Sequence, residues 1–262
     1  MIIGHQQQRE FLKRAIKNKR IPQGFIFSGM EALGKKTIAL WFQQEINKDA
    51  HSILIEPEKG IISIDKIREL KKSLSLKYDF TFIIIDDAHK MNIIAQNCFL
   101  KTLEEPKENV VFVLVTSSLG SLLKTIHSRC EILKFYPVSK EEMPAHLDEK
   151  AIELSFNSPG KAISFTEDKD LLKEKIKMRE TVKSLLEKGI AERFIFSEKY
   201  FKDSPEVVAL LDEMIFSLRE KLLKSLNKEF VKKIKQVEDL KLLFLTSNIN
   251  QRLGFENLML KI

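Results

Sequence analysis

The spacing of apolar residues along this chain changes character near Tyr136-Pro137. Before that point, short apolar runs alternate with stretches whose apolar residues recur every three or four positions. Gly24–Ser28, Ser52–Glu56, Thr81–Ile85, Val110–Val115 and Glu131–Phe135 are such runs and predict strands. Thr81-Phe82-Ile83-Ile84-Ile85 is apolar and β-branched almost throughout, the mark of a central parallel strand covered on both faces. Residues 6–20, Ile64–Leu76, Ile93–Leu103 and Leu122–Ser128 have helical spacing, and Ile38-Ala39-Leu40-Trp41-Phe42 opens a further helix. Strands alternating with helices predict a parallel sheet of α/β type. Beyond residue 138 no β-rich run recurs. Residues 139–167 give three short helical stretches. Residues 168–262 give longer amphipathic ones such as Leu171–Lys188, Ser204–Asn227 and Val231–Asn248. The expected domains are 1–138, 139–167 and 168–262.

Composition adds limits. The chain has 262 residues, 44% of them apolar, enough for packed cores and against overall disorder. Its net charge of +7 is spread along the chain, which suits contact with a nucleic-acid backbone or simply a basic soluble protein. Lys13, Arg14, Lys17, Lys19 and Arg20 form a basic helix face, read as solvated in preference to DNA-bound. Cys98 and Cys130 lie far apart without partners at metal-ligand spacing, so neither a disulfide scaffold nor a zinc site is expected. The start lacks an apolar signal core, and no apolar run reaches the roughly 18 residues of a membrane span. The expectation is a reduced, cytoplasmic protein with no membrane contact.

The candidate chemistry begins at Gly29-Met30-Glu31-Ala32-Leu33-Gly34-Lys35, which follows a strand and opens a helix. This is the P-loop pattern: glycines let backbone N–H groups cradle phosphates, and the lysine neutralises them. The next position should carry a hydroxyl for Mg²⁺, but it is Lys36, which only donates hydrogen bonds and repels a divalent cation. Thr37 comes one residue late, about 100° further round the helix. The favoured reading is a loop that holds the fold without binding ATP·Mg tightly. Asp86-Asp87 ends the strongest strand, where a Walker B pair would sit. Asp86 is then the candidate Mg²⁺ ligand, and Asp87 stands where motor ATPases use the longer Glu to orient water. The bland alternative is a pair of solvated carboxylates at a strand end.

Further motifs carry a family resemblance. Ile3-Gly4-His5, Asp86-Asp87-Ala88-His89-Lys90-Met91, Leu100-Lys101-Thr102-Leu103-Glu104-Glu105-Pro106, Ser128-Arg129-Cys130, Asn157-Ser158-Pro159-Gly160-Lys161-Ala162 and Asn248–Leu258 occur in order. Together they resemble the delta-prime family of bacterial DNA polymerase III clamp-loader subunits, and more loosely the gamma/tau and replication factor C proteins. The resemblance implies an AAA+ or RecA-like P-loop domain, a small helical lid and an all-α collar domain. It implies a heteropentamer with gamma/tau and delta that opens a sliding clamp and loads it on primer–template DNA. Within that holoenzyme, a nucleotidyltransferase complex, the chain would have no activity of its own.

The resemblance assigns Arg129 the role of an arginine finger acting on a neighbouring subunit, with Ser128 and Cys130 positioning it. Gly29, Gly34, Lys35, Thr37, Asp86 and Asp87 make up the degenerate nucleotide site. Gly160 stands where motor subunits carry a lid arginine. Many relatives carry four zinc-binding cysteines between P-loop and Walker B strand; residues 38–80 contain none, so no zinc is implied. The competing reading is an active AAA+ ATPase of gamma/tau type. A small-molecule P-loop kinase and a plain DNA-binding protein fit less well.

Overall fold

A computed structural model describes residues 2–74, 78–105, 109–203, 206–247 and 249–262. Leu76 of the expected third helix, Pro106 of the LEEP stretch, Ser204 and Asn248 lie outside the described residues.

Contacts divide the chain into two compact units, Met1–Thr166 and Glu167–Ile262. The first contains α1 (Gln6–Lys17), β1 (Gly24–Ser28), α2 (Lys35–Ile46), β2 (His51–Ile55), α3 (Ile64–Ser73), β3 (Thr81–Ile85), α4 (Ile93–Glu104), β4 (Val110–Thr116), α5 (Lys124–His127), β5 (Glu131–Lys134) and α6 (Glu149–Leu154). The helix α7 (Pro159–Glu167) closes it. The five strands form one parallel sheet in the order β2-β3-β4-β1-β5.

The two-residue strand period sorts the side chains into two cores. Ile26, Ile83, Ile85, Phe112 and Leu114 point to one face and pack against Ile67 and Leu70 of α3 and Phe99 of α4. Phe25, Phe27, Phe82, Ile84, Val113 and Val115 point to the other, against Leu12 of α1 and Ile38 and Phe42 of α2. Phe42 meets Phe25 and Phe82 edge-on, with ring centroids 5.3 and 5.7 Å apart, the favoured aromatic geometry. β3 and β4 are buried at every position, while the edge strands β2 and β5 alternate with solvent. That contrast explains why the central strands read as unbroken apolar runs.

The helix expected over Leu122–Ser128 is shorter. A 3₁₀ turn covers Leu119–Ser121 and α5 only Lys124–His127. Residues 139–166 pack around Val138, Met143, Leu147, Ile152 and Ala162, joined by Ile3 from the chain start. Asp148 caps α6 by accepting from the backbone N–H groups of Lys150 and Ala151.

The second unit is all helical: α8 (Lys169–Glu187), α9 (Ile190–Asp203), α10 (Val207–Ser225), α11 (Glu229–Thr246) and α12 (Gln251–Met259). Its core gathers Val182, Leu210, Leu211, Met214, Val237, Phe255 and Met259. The sequence pattern did not single out α9. Its fully buried residue is Ser197, and the half-buried aromatics Phe196, Tyr200 and Phe201 pack against the same core. No helix among the described residues is long and apolar enough to cross a membrane.

One ionic cluster sits inside this unit. Glu213 on α10 is fully buried and faces Arg179 Nε at 2.8 Å and Lys175 Nζ at 2.5 Å, both on α8. A carboxylate desolvated to this degree is tolerated only while its cations stay in place. Replacing Glu213 with Ala removes the charge that both cations share. We expect the variant to lose about 3–5 kcal/mol of stability, read as a lower urea midpoint by circular dichroism at 222 nm. An unchanged midpoint would show that the cluster contributes nothing.

Candidate functional site

In a parallel sheet all carboxyl ends of the strands lie on one edge, where ligands of open α/β folds bind. Here that edge brings together Gly29 after β1, Glu56 after β2 and Asp86 after β3. Gly29 is required sterically, because a Cβ there would lie 2.3 Å from the Phe135 carbonyl oxygen. Gly34 is required conformationally: it caps α2 at φ 85°, a left-handed value that glycine adopts without strain. The loop between them has its carbonyls tied down from outside. The Leu33 carbonyl accepts from His5 Nε2 at 2.7 Å, that of Glu31 from Ser158 Oγ at 3.0 Å, and that of Ala32 from the Gly160 N–H at 2.8 Å. A Cβ at Gly160 would stand 2.9 Å from the Ala32 oxygen, so only glycine lets α7 approach this closely. A cavity of about 500 Å³ lies between the loop, Asp86, Asp87 and Gly160.

Lys35 is buried, and its ammonium donates to the carbonyls of Gly29, at 2.7 Å, and Met30. Burial lowers its pKa to about 8, against the opposing pull of Glu31, Asp86 and Asp87. Burial likewise lowers the pKa of His5 and favours its neutral form. Lys36 turns outward. Its ammonium lies 2.5 Å from Glu56 Oε1 and 3.2 Å from Asp86 Oδ2, and the hydrogen bond to Glu56 raises its pKa. Asp87 pairs with Lys90 at 2.9 Å. Thr37 is exposed at the cavity wall. Both strand-end carboxylates thus carry an internal ammonium. The side chains here do not fit a magnesium ion, since the place beside Asp86 is taken by a cation.

Arg129 lies on the other edge of the sheet. Gly24 opens β1, and a Cβ there would stand 2.7 Å from Cys130 Sγ and 3.2 Å from the Arg129 carbonyl oxygen. The length of β1, roughly 13 Å at about 3.3 Å per residue, therefore separates the Arg129 backbone from the loop. The guanidinium is partly exposed, pairs with Glu104 Oε1 at 2.9 Å and donates to the Thr125 carbonyl at 3.0 Å. Ser128 Oγ donates to the same carbonyl at 3.0 Å. Cys130 packs against the sheet core, and burial pushes its thiol up to about 12. Cys98 packs against the same core.

The structure thus lines one cavity with Gly34, Lys35, Thr37, Asp86 and Asp87, leaves Gly29 outside that lining at the start of the loop, and sets Ser128, Arg129 and Cys130 apart. Sequence reasoning missed Glu56, His5 and Ser158 around the loop, and Glu104 beside Arg129. Glu104 belongs to the quoted LEEP stretch and was within reach. Glu56 had no signal beyond its place after a strand.

Residues 45–139 match a family described as DNA polymerase III, delta subunit. Over 174 residues the chain is 28% identical to the replication factor C small subunit of Sulfurisphaera tokodaii, covering 60% of this chain and 53% of the relative. It is 23% identical over 278 residues to DNA polymerase III subunit tau of Bacillus subtilis, covering 85% and 49%. It is 31% identical over 167 residues to the gamma subunit of Buchnera aphidicola, covering 54% and 46%. Over part of its length the chain is thus similar to DNA polymerase III and replication factor C subunits. The chain spans about half the length of the curated relatives it matches. Among solved structures it resembles a gamma subunit-related protein of Thermotoga maritima, with TM-score 0.52, 23% identity and 97% of each chain covered. It also resembles the RuvB branch migration motor of the same organism, with TM-score 0.51, 16% identity and coverage of 71% and 76%. These two likenesses show the fold alone. The family match takes in Asp86, Glu104 and Arg129 and leaves out the P-loop.

The depressed Lys35 pKa has a signed consequence. Between pH about 8 and 10.5 the unfolded chain keeps a proton that the folded site has released. Stability therefore rises with pH across that window through this residue. Denaturant melts from pH 7.5 to 10.5 should show this contribution in the wild type and not in Lys35→Met. Identical pH slopes would contradict the buried environment of Lys35.

Proposed function

We propose that this chain is a non-motor clamp-loader subunit of the delta-prime type, which lends Arg129 to the nucleotide site of a neighbouring subunit. The observation that carries the reading is the place of Arg129. It sits one strand length from the chain's own loop, partly exposed, on an edge that the loop does not reach. A guanidinium so placed serves a phosphate only if a second subunit presents one. Such a group stabilises the charge that develops on a transferring phosphoryl group, typically by about 10³–10⁵ in rate. Glu104 and the Thr125 carbonyl fix the head of Arg129 while leaving part of it exposed. The paired state of Asp86 and Asp87 supports a site without hydrolysis of its own.

The partners that follow from this reading are gamma/tau and delta subunits in a heteropentamer, a sliding clamp and primer–template DNA, in the cytoplasm and without zinc. A second reading has one observation in its favour: the loop and its cavity are present, and a gamma subunit is 31% identical over 167 residues. In that case the purified chain would itself hydrolyse ATP with Mg²⁺, and Lys35→Ala would abolish turnover.

Reconstitution with gamma/tau and delta separates the two. Under the delta-prime reading the isolated chain has no ATPase, and Arg129→Ala still co-purifies with its partners. Hydrolysis at the adjoining site falls by about 10³-fold or more. An assembled complex that hydrolyses ATP equally well without the Arg129 guanidinium would refute the proposal.

A further inference from the structure

The position of Lys36 says more than that a hydroxyl is missing. Residue 36 is the second residue of α2, the position from which P-loop proteins extend a metal-binding hydroxyl. Here the longer side chain carries its ammonium to 3.2 Å from Asp86 and 2.5 Å from Glu56. These carboxylates end adjacent parallel strands, β3 and β2, so the sheet itself holds them side by side. Magnesium in such sites is held by one or two carboxylates together with phosphate oxygens and water. The ammonium meets two carboxylates here, is compact like the metal, and is covalently attached, so no mass action is needed to fill the place.

From this geometry we infer that Lys36 is a tethered substitute for the divalent metal: the pocket excludes magnesium, and a nucleoside polyphosphate enters it metal-free. The hydrogen bond to Glu56 holds the Lys36 ammonium beside Asp86. The ion pairs are partly exposed, so they add little to stability. Their effect falls on what else can approach Asp86. The inference concerns the same degenerate site as the proposed non-motor role. It is tested on the isolated chain, so its failure leaves the role of Arg129 untouched, and the reverse holds.

The experiment is titration of the full chain with ADP and with ATP, in excess Mg²⁺ and in EDTA, for wild type and Lys36→Thr. Lys36→Ser serves as a second variant in case the threonine protein does not fold. Wild-type affinity should be weaker in Mg²⁺ than in EDTA, and more so for ATP than for ADP, because the metal withdraws the free nucleotide that enters. The hydroxyl variants should bind at least tenfold more tightly with Mg²⁺ than with EDTA. Mn²⁺ electron paramagnetic resonance should detect a bound ion in the ADP complex of the variants and none with wild type. A tenfold tightening of wild-type binding by Mg²⁺ would overturn the inference. So would hydroxyl variants with no metal dependence, including variants that bind no nucleotide at all.

Discussion

Strand β1 is hydrogen-bonded along both edges, to β4 and to β5, and sends alternate side chains into two separate cores. Its two ends cannot shift relative to each other without disturbing both ladders. The distinctive chemistry of the first unit hangs from those ends. At the carboxyl end the Phe135 backbone leaves no room for a side chain at Gly29, and the loop turns into α2. At the amino end Gly24 makes room for Cys130 and so fixes the backbone beside it, Arg129 included. Parallel order then recruits the rest. It gathers Glu56 and Asp86 on the loop's edge, though 27 or more residues of sequence separate each from Gly29. Each edge is rigid because the strands between them are buried.

Much of this fold is legible in the sequence because burial on both faces leaves a signal that needs no partner to interpret. Thr81–Ile85 reads as a central strand since every side chain there meets a core. Elements whose core contacts are only half-buried leave a weaker signal, and α9, which packs through Phe196, Tyr200 and Phe201 beside Ser197, is the example. The α5 region shows a second limit: Leu122 and Ile126 are both buried, which mimics a helical face, yet a 3₁₀ turn precedes only four helical residues. In the site, residues adjacent along the chain were visible as a motif. Residues that adjoin only through the sheet were not. Glu56 reaches Lys36 because β2 and β3 are neighbours, and strand order is not written in any local pattern. His5 and Ser158 reach the loop carbonyls from segments distant in sequence, a contact that no local pattern records.

Lys35 and Lys36 show how far adjacent identical side chains can diverge. One helical step of about 100° sends the first inward and the second outward. Lys35 loses water without gaining a close carboxylate, since its ammonium meets only backbone oxygens, and its pKa falls to about 8. Lys36 keeps part of its hydration and gains two carboxylates, and its pKa rises. Desolvation and pairing are opposed effects of comparable size, and orientation decides which one prevails.

Likeness to gamma, tau and replication factor C proteins does not settle this chain's part in an assembly, because the same fold can act through either edge of the sheet. Hydrolysis makes demands on the carboxyl edge: a hydroxyl after Lys35, an unpaired carboxylate at Asp86 and a water-orienting group at Asp87. Assistance to a neighbour makes demands on the amino edge alone, where Arg129 must be held and partly exposed. In this chain the first set of demands is met by residues that oppose it, with Lys36 on Asp86 and Lys90 on Asp87. The second set is met by Glu104 and the Thr125 carbonyl. Since β1 lies between the two edges, substitutions at one should leave the other intact. On the proposed reading, that independence lets the amino edge serve a neighbour whatever the carboxyl edge has lost.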